Sequence, residues 1–416
     1  MRINRREERG MIKKNNTVTL HYALITGGFW MAFCVVTAYA EVFLRGIGYT
    51  YEQYGVILAL GNVGGALMSP VLGACIDRNR KLRHAMVIRI LLAIQILLLI
   101  ILRGFPQPNL TTAVCYVLYM TAMMPVNALN LDLCVRLERV KAPLKFGFAR
   151  SMGSFAFVIL STILGNLAGN GNHLIIPFAG MAVVMLQAFS NELIDRDLRK
   201  YEKICPLPET EIQERSSSLT AFVRDNRMFC LMLFGTIILF IAHNMDGNFL
   251  KTQIESRTID HSRDNSIMGY VAAFTAITEI PVMMFSARLP KKWKTVQYIR
   301  LSLVFFVIKS LAYALAPDIP TFFASRVLQA PSYALYTVLI VGYADSVVEK
   351  KDSAKAQSLA FSMTTIGSVL ASLIGGYMFG HFSVKTTMLT AAAIAGAGAA
   401  IAVAGTGIRK QKGEKS

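Results

Sequence analysis

Charge is scarce in this chain. Of its 416 residues only 16% are Asp, Glu, Lys or Arg, while 54% are hydrophobic; a soluble domain carries roughly 25% charged residues. That scarcity excludes an ordinary water-soluble globule. Ten-residue segments of alternating polarity are also missing, which excludes a transmembrane β-barrel. Cysteine is sparse and scattered. Cys34, Cys75, Cys115, Cys134, Cys205 and Cys230 lie in or beside apolar segments, with no CxxC and no Cys/His cluster, so neither a zinc site nor a disulfide framework is expected. No GxxxxGK[ST] loop is present, which removes ATP-driven transport, and no GxSxG or HExxH motif points to an enzyme. No catalytic residue, metal or cofactor is expected.

What the chain does have is long apolar runs. Stretches of 18 or more residues recur along its length, each enough to cross a roughly 30 Å hydrocarbon core as a helix. Twelve spans are placed at 18–45, 53–76, 85–103, 110–135, 146–168, 173–193, 227–250, 266–288, 296–316, 320–346, 355–380 and 385–408. The net charge of +18 would suggest nucleic acid in a soluble protein. Here the cations crowd the N-terminus (Arg2, Arg5, Arg6, Arg9, Lys13, Lys14), alternate loops and the tail (Arg409, Lys410, Lys412, Lys415). The positive-inside rule accounts for that pattern and puts both termini in the cytoplasm; the bilayer, not nucleic acid, is the expected partner. The apolar run Val18–Ala40 is longer than a 7–15-residue signal-peptide core and reads as the first span. Composition suggests a bacterial inner membrane.

The chain divides as a tail (1–17), a six-helix half (18–193), a polar cytoplasmic linker (194–226), a second six-helix half (227–408) and a tail (409–416). An internal repeat supports the division. At an offset of 211 residues Pro70-Val71 falls on Pro281-Val282, Arg89 on Arg300, Glu138 on Glu349, Ser151-Met152 on Ser362-Met363, Gly165 on Gly376 and Gly169 on Gly380. Two parallel halves about a site near the midplane is the architecture of major facilitator transporters. The repeat also shows where the halves differ: Asp132 falls on Tyr343, Arg150 on Phe361, Cys115 on Arg326 and Leu98 on Lys309. An ionised side chain at the bilayer centre costs roughly 2.5–3.5 kcal/mol on insertion scales, so these unmatched charges are expected to face inward and carry function.

The loop Gly73-Ala-Cys-Ile-Asp77-Arg78-Asn-Arg80-Lys81 resembles the major facilitator signature Gly-x-x-x-Asp-Arg-x-Gly-Arg-Lys/Arg, with Arg80 at the usual second glycine. The resemblance implies a charge latch at Gly73, Asp77, Arg78 and Lys81 that breaks when the halves rock. A narrower resemblance lies in Phe146-Gly-Phe-Ala-Arg150-Ser-Met-Gly153, with Asp132 eighteen residues before Arg150. It is similar to the oligosaccharide:proton symporters, the lactose permease family. There a carboxylate and an arginine grip sugar hydroxyls and an aromatic at the position of Phe157 stacks on the ring. A bidentate guanidinium and a carboxylate suit paired hydroxyls. Phe for Trp and Asp for Glu depart from the family. Lys309 and Arg326 match two of its cationic positions, Asp246 is expected to pair with Arg326, and Glu279 could match its sugar- and proton-linked Glu. The family's proton-site His and Glu fall on Gln329 and Ser332, which do not titrate.

The resulting expectation is an all-α membrane protein with twelve transmembrane helices in two pseudo-symmetric halves, the major facilitator fold, acting as a monomeric secondary transporter of a small-molecule solute, most simply a sugar or oligosaccharide, in symport with a proton. Asp132, Arg150, Phe157, Glu279, Lys309 and Arg326 are the expected substrate-binding residues. Glu279, Glu41 and Asp132 are the candidate proton carriers; Glu41 also reads as an external-end residue paired with Arg45. His243 reads as a helix-facing polar group. The alternatives are a nucleoside:proton symporter, a drug or metabolite:proton antiporter and a receptor or sensor on the same fold.

Overall fold

The computed structural model describes residues 17–79, 82–205, 218–285 and 293–406. Among the described residues twelve helices are long and apolar enough to cross a membrane: α1 Thr17–Ala38, α2 Tyr51–Ile76, α3 His84–Gly104, α4 Leu110–Arg139, α5 Phe146–Leu167, α6 Ile175–Ile204, α7 Arg227–Asn248, α8 His261–Phe285, α9 Thr295–Leu315, α10 Ile319–Val347, α11 Lys350–His381 and α12 Val384–Gly405. No strand occurs among the described residues. This is the expected fold class, because only helices satisfy every backbone group within one segment where water is absent.

Packing divides the described chain into two compact units, one of residues 17–49 and 60–205, the other of 50–59 and 218–406. In the first, α1 runs along α5 and α6, and α3 along α4 and α6. In the second, α7 runs along α11 and α12, and α9 along α10 and α12. These are the same neighbours half a chain apart, so the 211-residue repeat is a repeat of packing. Apolar side chains gain little by leaving lipid for protein, so close backbone approach drives such contacts. A Cβ on Gly235 of α7 would run into Ala402 N and Gly398 O of α12.

Residues 50–59 depart from the expected division: they open α2 yet pack with the second unit. Tyr54 donates to Asn248 O at 2.6 Å, the Tyr54 ring meets Phe249 edge-on at 5.3 Å, and a Cβ on Gly55 would strike Ser372 O. The sixth span also runs further than expected, to Ile204 instead of 193. Its extension is amphipathic, with Asp195, Leu198 and Tyr201 buried along one face.

Two spans are irregular. In α1 a π-helical stretch, Cys34–Ala38, ends at Tyr39, and a separate helix follows at Ala40–Gly46. In α10 the helix Ile319–Ser325 gives way to a 3₁₀ turn, Arg326–Gln329, then a π segment, Ala330–Ala334, before Leu335–Val347 resumes. Pro331 supplies the cause. It has no N–H for the ladder and its ring crowds the preceding turn, and single π turns relieve such crowding, frequently at functional sites.

Candidate functional site

The first unit carries Asp132, Arg150 and Phe157. Asp132 sits on α4, its side chain 45% exposed, where it accepts from Arg136 Nε at 2.8 Å and pairs with His84 Nε2 at 2.5 Å. The carboxylate therefore fastens α4 to the start of α3. Arg150, one turn into α5, stacks its guanidinium over the Trp30 ring of α1 at 4.6 Å. Gly153 makes that possible, because a Cβ there would collide with Trp30 Cδ1. Phe29 and Phe33 meet the indole edge-on at 5.8 and 5.3 Å. Arg150 thus lies on an aromatic wall that sequence reasoning missed, although Trp30 is one of only two tryptophans in the chain. Phe157 is half-buried, two turns along the same helix.

Glu41 is buried in the short helix after α1, and Arg45 donates to Tyr49 O at 2.7 Å. In the signature loop, Arg78 ends its helix exposed. A Cβ on Gly73 would meet only open space. The side chain of Asp77, and Lys81 altogether, lie outside the described residues.

The second unit buries Asp246, Lys309 and Arg326 and brings the partly exposed Glu279 beside them. Arg326 Nη1 donates to Asp246 Oδ2 at 2.7 Å. Its guanidinium lies in the corner formed by the rings of Tyr313, at 4.1 Å, and Phe322, at 4.2 Å, which meet edge-on; such faces attract cations most where water is excluded. Nε and Nη2 of Arg326 and Oδ1 of Asp246 have no hydrogen-bond partner, so aromatic faces replace water around most of this charge. The side chain of Gln253 donates to the backbone oxygen of Asp246 at 2.9 Å and fixes the end of α7.

Lys309, 1% exposed, has no carboxylate among its hydrogen-bond partners: Nζ lies 2.8 Å from His243 Nδ1 of α7 and 3.0 Å from Gln329 Oε1 of α10. Gln329 Nε2 in turn donates to Glu279 Oε1 of α8 at 2.8 Å. The ring of His243 stacks on Tyr333 at 4.7 Å and Lys309 Nζ sits 4.6 Å above Phe306. One hydrogen-bonded line therefore crosses four helices. His243 belongs to that line, a polar group that faces the neighbouring helix α9. Gln329, read as the loss of a titrating residue, is the bridge. The irregular segment of α10 supplies Arg326, Gln329, Ser332 and Tyr333; Ser332 turns its hydroxyl to Leu328 O at 2.6 Å and takes no part in the line.

Residues 27–390 match the model of the MFS_1 like family. The chain belongs to that family. It is accordingly a multi-pass membrane protein and a secondary transporter of the major facilitator type. Among solved structures, the fold is similar to the nucleoside transporter NupG: the mutant form superposes with a TM-score of 0.76 at 14% identity, covering 94% of this chain and 100% of that one. A bacterial homologue of the human lysosomal transporter Spinster, inward-facing and unoccupied, gives 0.64 at 12% identity, covering 93% and 96%. Curated relatives match over shorter stretches. Multidrug resistance protein 2 of Bacillus subtilis (strain 168) is 26% identical over 130 residues, 31% of this chain and 32% of its own length. A chloramphenicol efflux pump of Mycobacterium tuberculosis (strain CDC 1551 / Oshkosh) is 28% identical over 140 residues, 33% and 32%. The match spans about a third of the length of these curated relatives.

Proposed function

We propose that the protein moves a small polyhydroxylated solute, a sugar or oligosaccharide, in symport with a proton. The observation that carries this reading is the four-helix polar line Glu279–Gln329–Lys309–His243 beside the Asp246–Arg326 pair. Ionisable groups inside membrane helices mark substrate and ion pathways. Arg150 on its aromatic wall, with Asp132 and Phe157 on the same unit, supplies the guanidinium and ring faces that suit sugar hydroxyls and C–H surfaces. Glu279, Lys309 and Arg326 supply the second set. Among the candidate carriers, Asp132 is held directly by Arg136, whereas Glu279 reaches Lys309 through the Gln329 amide. The Lys/Arg-rich termini support cytoplasmic ends in a bacterial inner membrane.

A nucleoside is the second reading. Stacked faces such as His243 on Tyr333 and the wall around Trp30 would hold a base, and NupG, a nucleoside transporter, shares the fold. Proteoliposomes challenged with lactose, raffinose, uridine and adenosine under a pH electrode test both readings, with Arg150→Ala alongside. Alkalinisation by one solute class, abolished in the variant, supports symport and names the class. Accumulation of a solute without proton movement overturns proton coupling, and proton-driven export of a drug such as chloramphenicol replaces symport with antiport.

A further inference from the structure

We propose that Lys309 and Glu279 jointly hold one exchangeable proton across the Gln329 amide, with His243 as the neutral acceptor that positions the amine. This rests on the symport reading, for which it would supply the proton site. The hydrogen-bond inventory decides the assignment. An ammonium only donates, and an amide has one accepting and one donating end. With Nζ 2.8 Å from His243 Nδ1 and 3.0 Å from Gln329 Oε1, a charged Lys309 requires a bare Nδ1, so the imidazole is neutral with its proton on Nε2. The amide is then polarised in one sense, its oxygen to Lys309 and its nitrogen to Glu279.

Three proton arrangements satisfy every link. With the proton on Nζ, Lys309 is a cation and Glu279 an anion joined through the amide. With the proton on Glu279, the amide turns over: Oε1 accepts the carboxyl O–H, Nε2 donates to the Nζ lone pair, and Nζ–H still donates to His243. One N–H bond is replaced by one O–H bond and the net charge of the line stays zero. With the proton released to water, a neutral amine still donates to both acceptors and the amide to the carboxylate. The line therefore loads or unloads one proton without orphaning a buried group, which would otherwise be costly.

The other groups facing Lys309 do not compete for this proton. Asp246 is engaged by Arg326. Tyr313 and Phe306 present rings, Tyr333 stacks on His243, Arg257 is spent on the backbone oxygens of Tyr313 and Ala316, and α12 has no ionisable residue from Thr386 to Gly405.

The test is infrared difference spectroscopy of the purified full-length protein across a pH titration, paired with proton uptake driven by lactose or uridine. A protonated-carboxyl band absent in Glu279→Gln is expected. Its midpoint should move by about one pH unit, a tenfold change in proton affinity, in Lys309→Met, Gln329→Leu and His243→Phe. His243→Asn, which keeps an acceptor, should restore it. Gln329→Leu, which preserves side-chain bulk, keeps the test open should Lys309→Met fail to fold. Wild-type midpoints in all variants overturn the joint site, even where solute-driven proton uptake upholds symport. Shifted midpoints without solute-driven uptake by any of the solutes support the joint site and remove the symport reading.

Discussion

The two units share one packing plan and use charge in opposite ways. In the first, ion pairs fasten helix ends and stay partly wet. Asp132 holds His84 and Arg136, and the buried carboxylate of Asp195 gathers Arg199, Arg83 and Arg89 at 2.6, 3.4 and 3.3 Å, while those guanidinium groups remain 41–52% exposed. In the second, Asp246 and Arg326 are 7% and 3% exposed in their side chains and Lys309 is enclosed by aromatic rings. Exposed pairs are screened and contribute roughly 0–1 kcal/mol each. Buried pairs gain little net stability but punish the loss of either partner. A scaffold duplicated in packing, with partly exposed fasteners in both copies, has therefore added a polar interior in one, and the interior is the part that folding alone does not require.

Substitutions can break or sharpen that contrast. The largest effect should come from Arg326→Ala, which leaves Asp246 buried and alone; a loss of about 3–5 kcal/mol is expected, read as a collapsed melting temperature in detergent. Replacing both residues by leucine should recover most of it. If the single change is harmless, the second unit is no drier than the first. Next comes Gly153→Val, which forces the indole of Trp30 away from α5. A cost of about 1–3 kcal/mol is expected for such overpacking. In a Trp293→Phe background the emission of Trp30 should shift as well, and an unchanged spectrum would refute the wall under Arg150.

Asp132→Asn should cost no more than about 1 kcal/mol, given a half-exposed carboxylate; a loss comparable to Arg326→Ala would erase the distinction between the units. The smallest effect concerns Asp318, which caps α10 by accepting from Thr321 N at 2.9 Å. Hydrogen bonds from Thr321 hold this carboxyl below its usual 3.8. A depressed folded value means the contribution is full above the unfolded value and disappears as pH falls through the folded one. Protection of the Thr321 amide, taken relative to its intrinsic exchange rate at each pH, should therefore fall on acidification below about pH 3.8 in the wild type and stay constant in Asp318→Asn.

The spans and the repeat were legible because lipid imposes length and hydropathy on every helix. The α6 extension was not, since Asp195, Arg196, Asp197 and Arg199 read as linker when counted by charge. The signal lay in the spacing of Asp195, Leu198 and Tyr201, an apolar-facing stripe hidden among ions. Asp246, Lys309 and Arg326 stood out as charges inside apolar runs. What they touch did not, because pairing across helices depends on rotation about each axis. His243 and Gln329 have ordinary polarity, and nothing along one chain tells that they meet at Lys309. Trp30 was silent for the same reason: its partner Arg150 is 120 residues away in sequence.

The π segment of α10 has a consequence for phase. A regular helix advances 100° per residue, so a side chain's azimuth follows from counting. Between Ala330 and Ala334 the count slips by a fraction of a turn, and a helical wheel drawn through the whole span misplaces one end of it. Arg326 and Gln329 are in one phase and Tyr336, Ile340 and Tyr343 of the aromatic core in another. Each stretch is correctly aimed only while the slip persists. Deleting one residue there would restore an even pitch and turn one block of side chains away from its partners, so the span's apparent defect works as a joint between two incompatible registers.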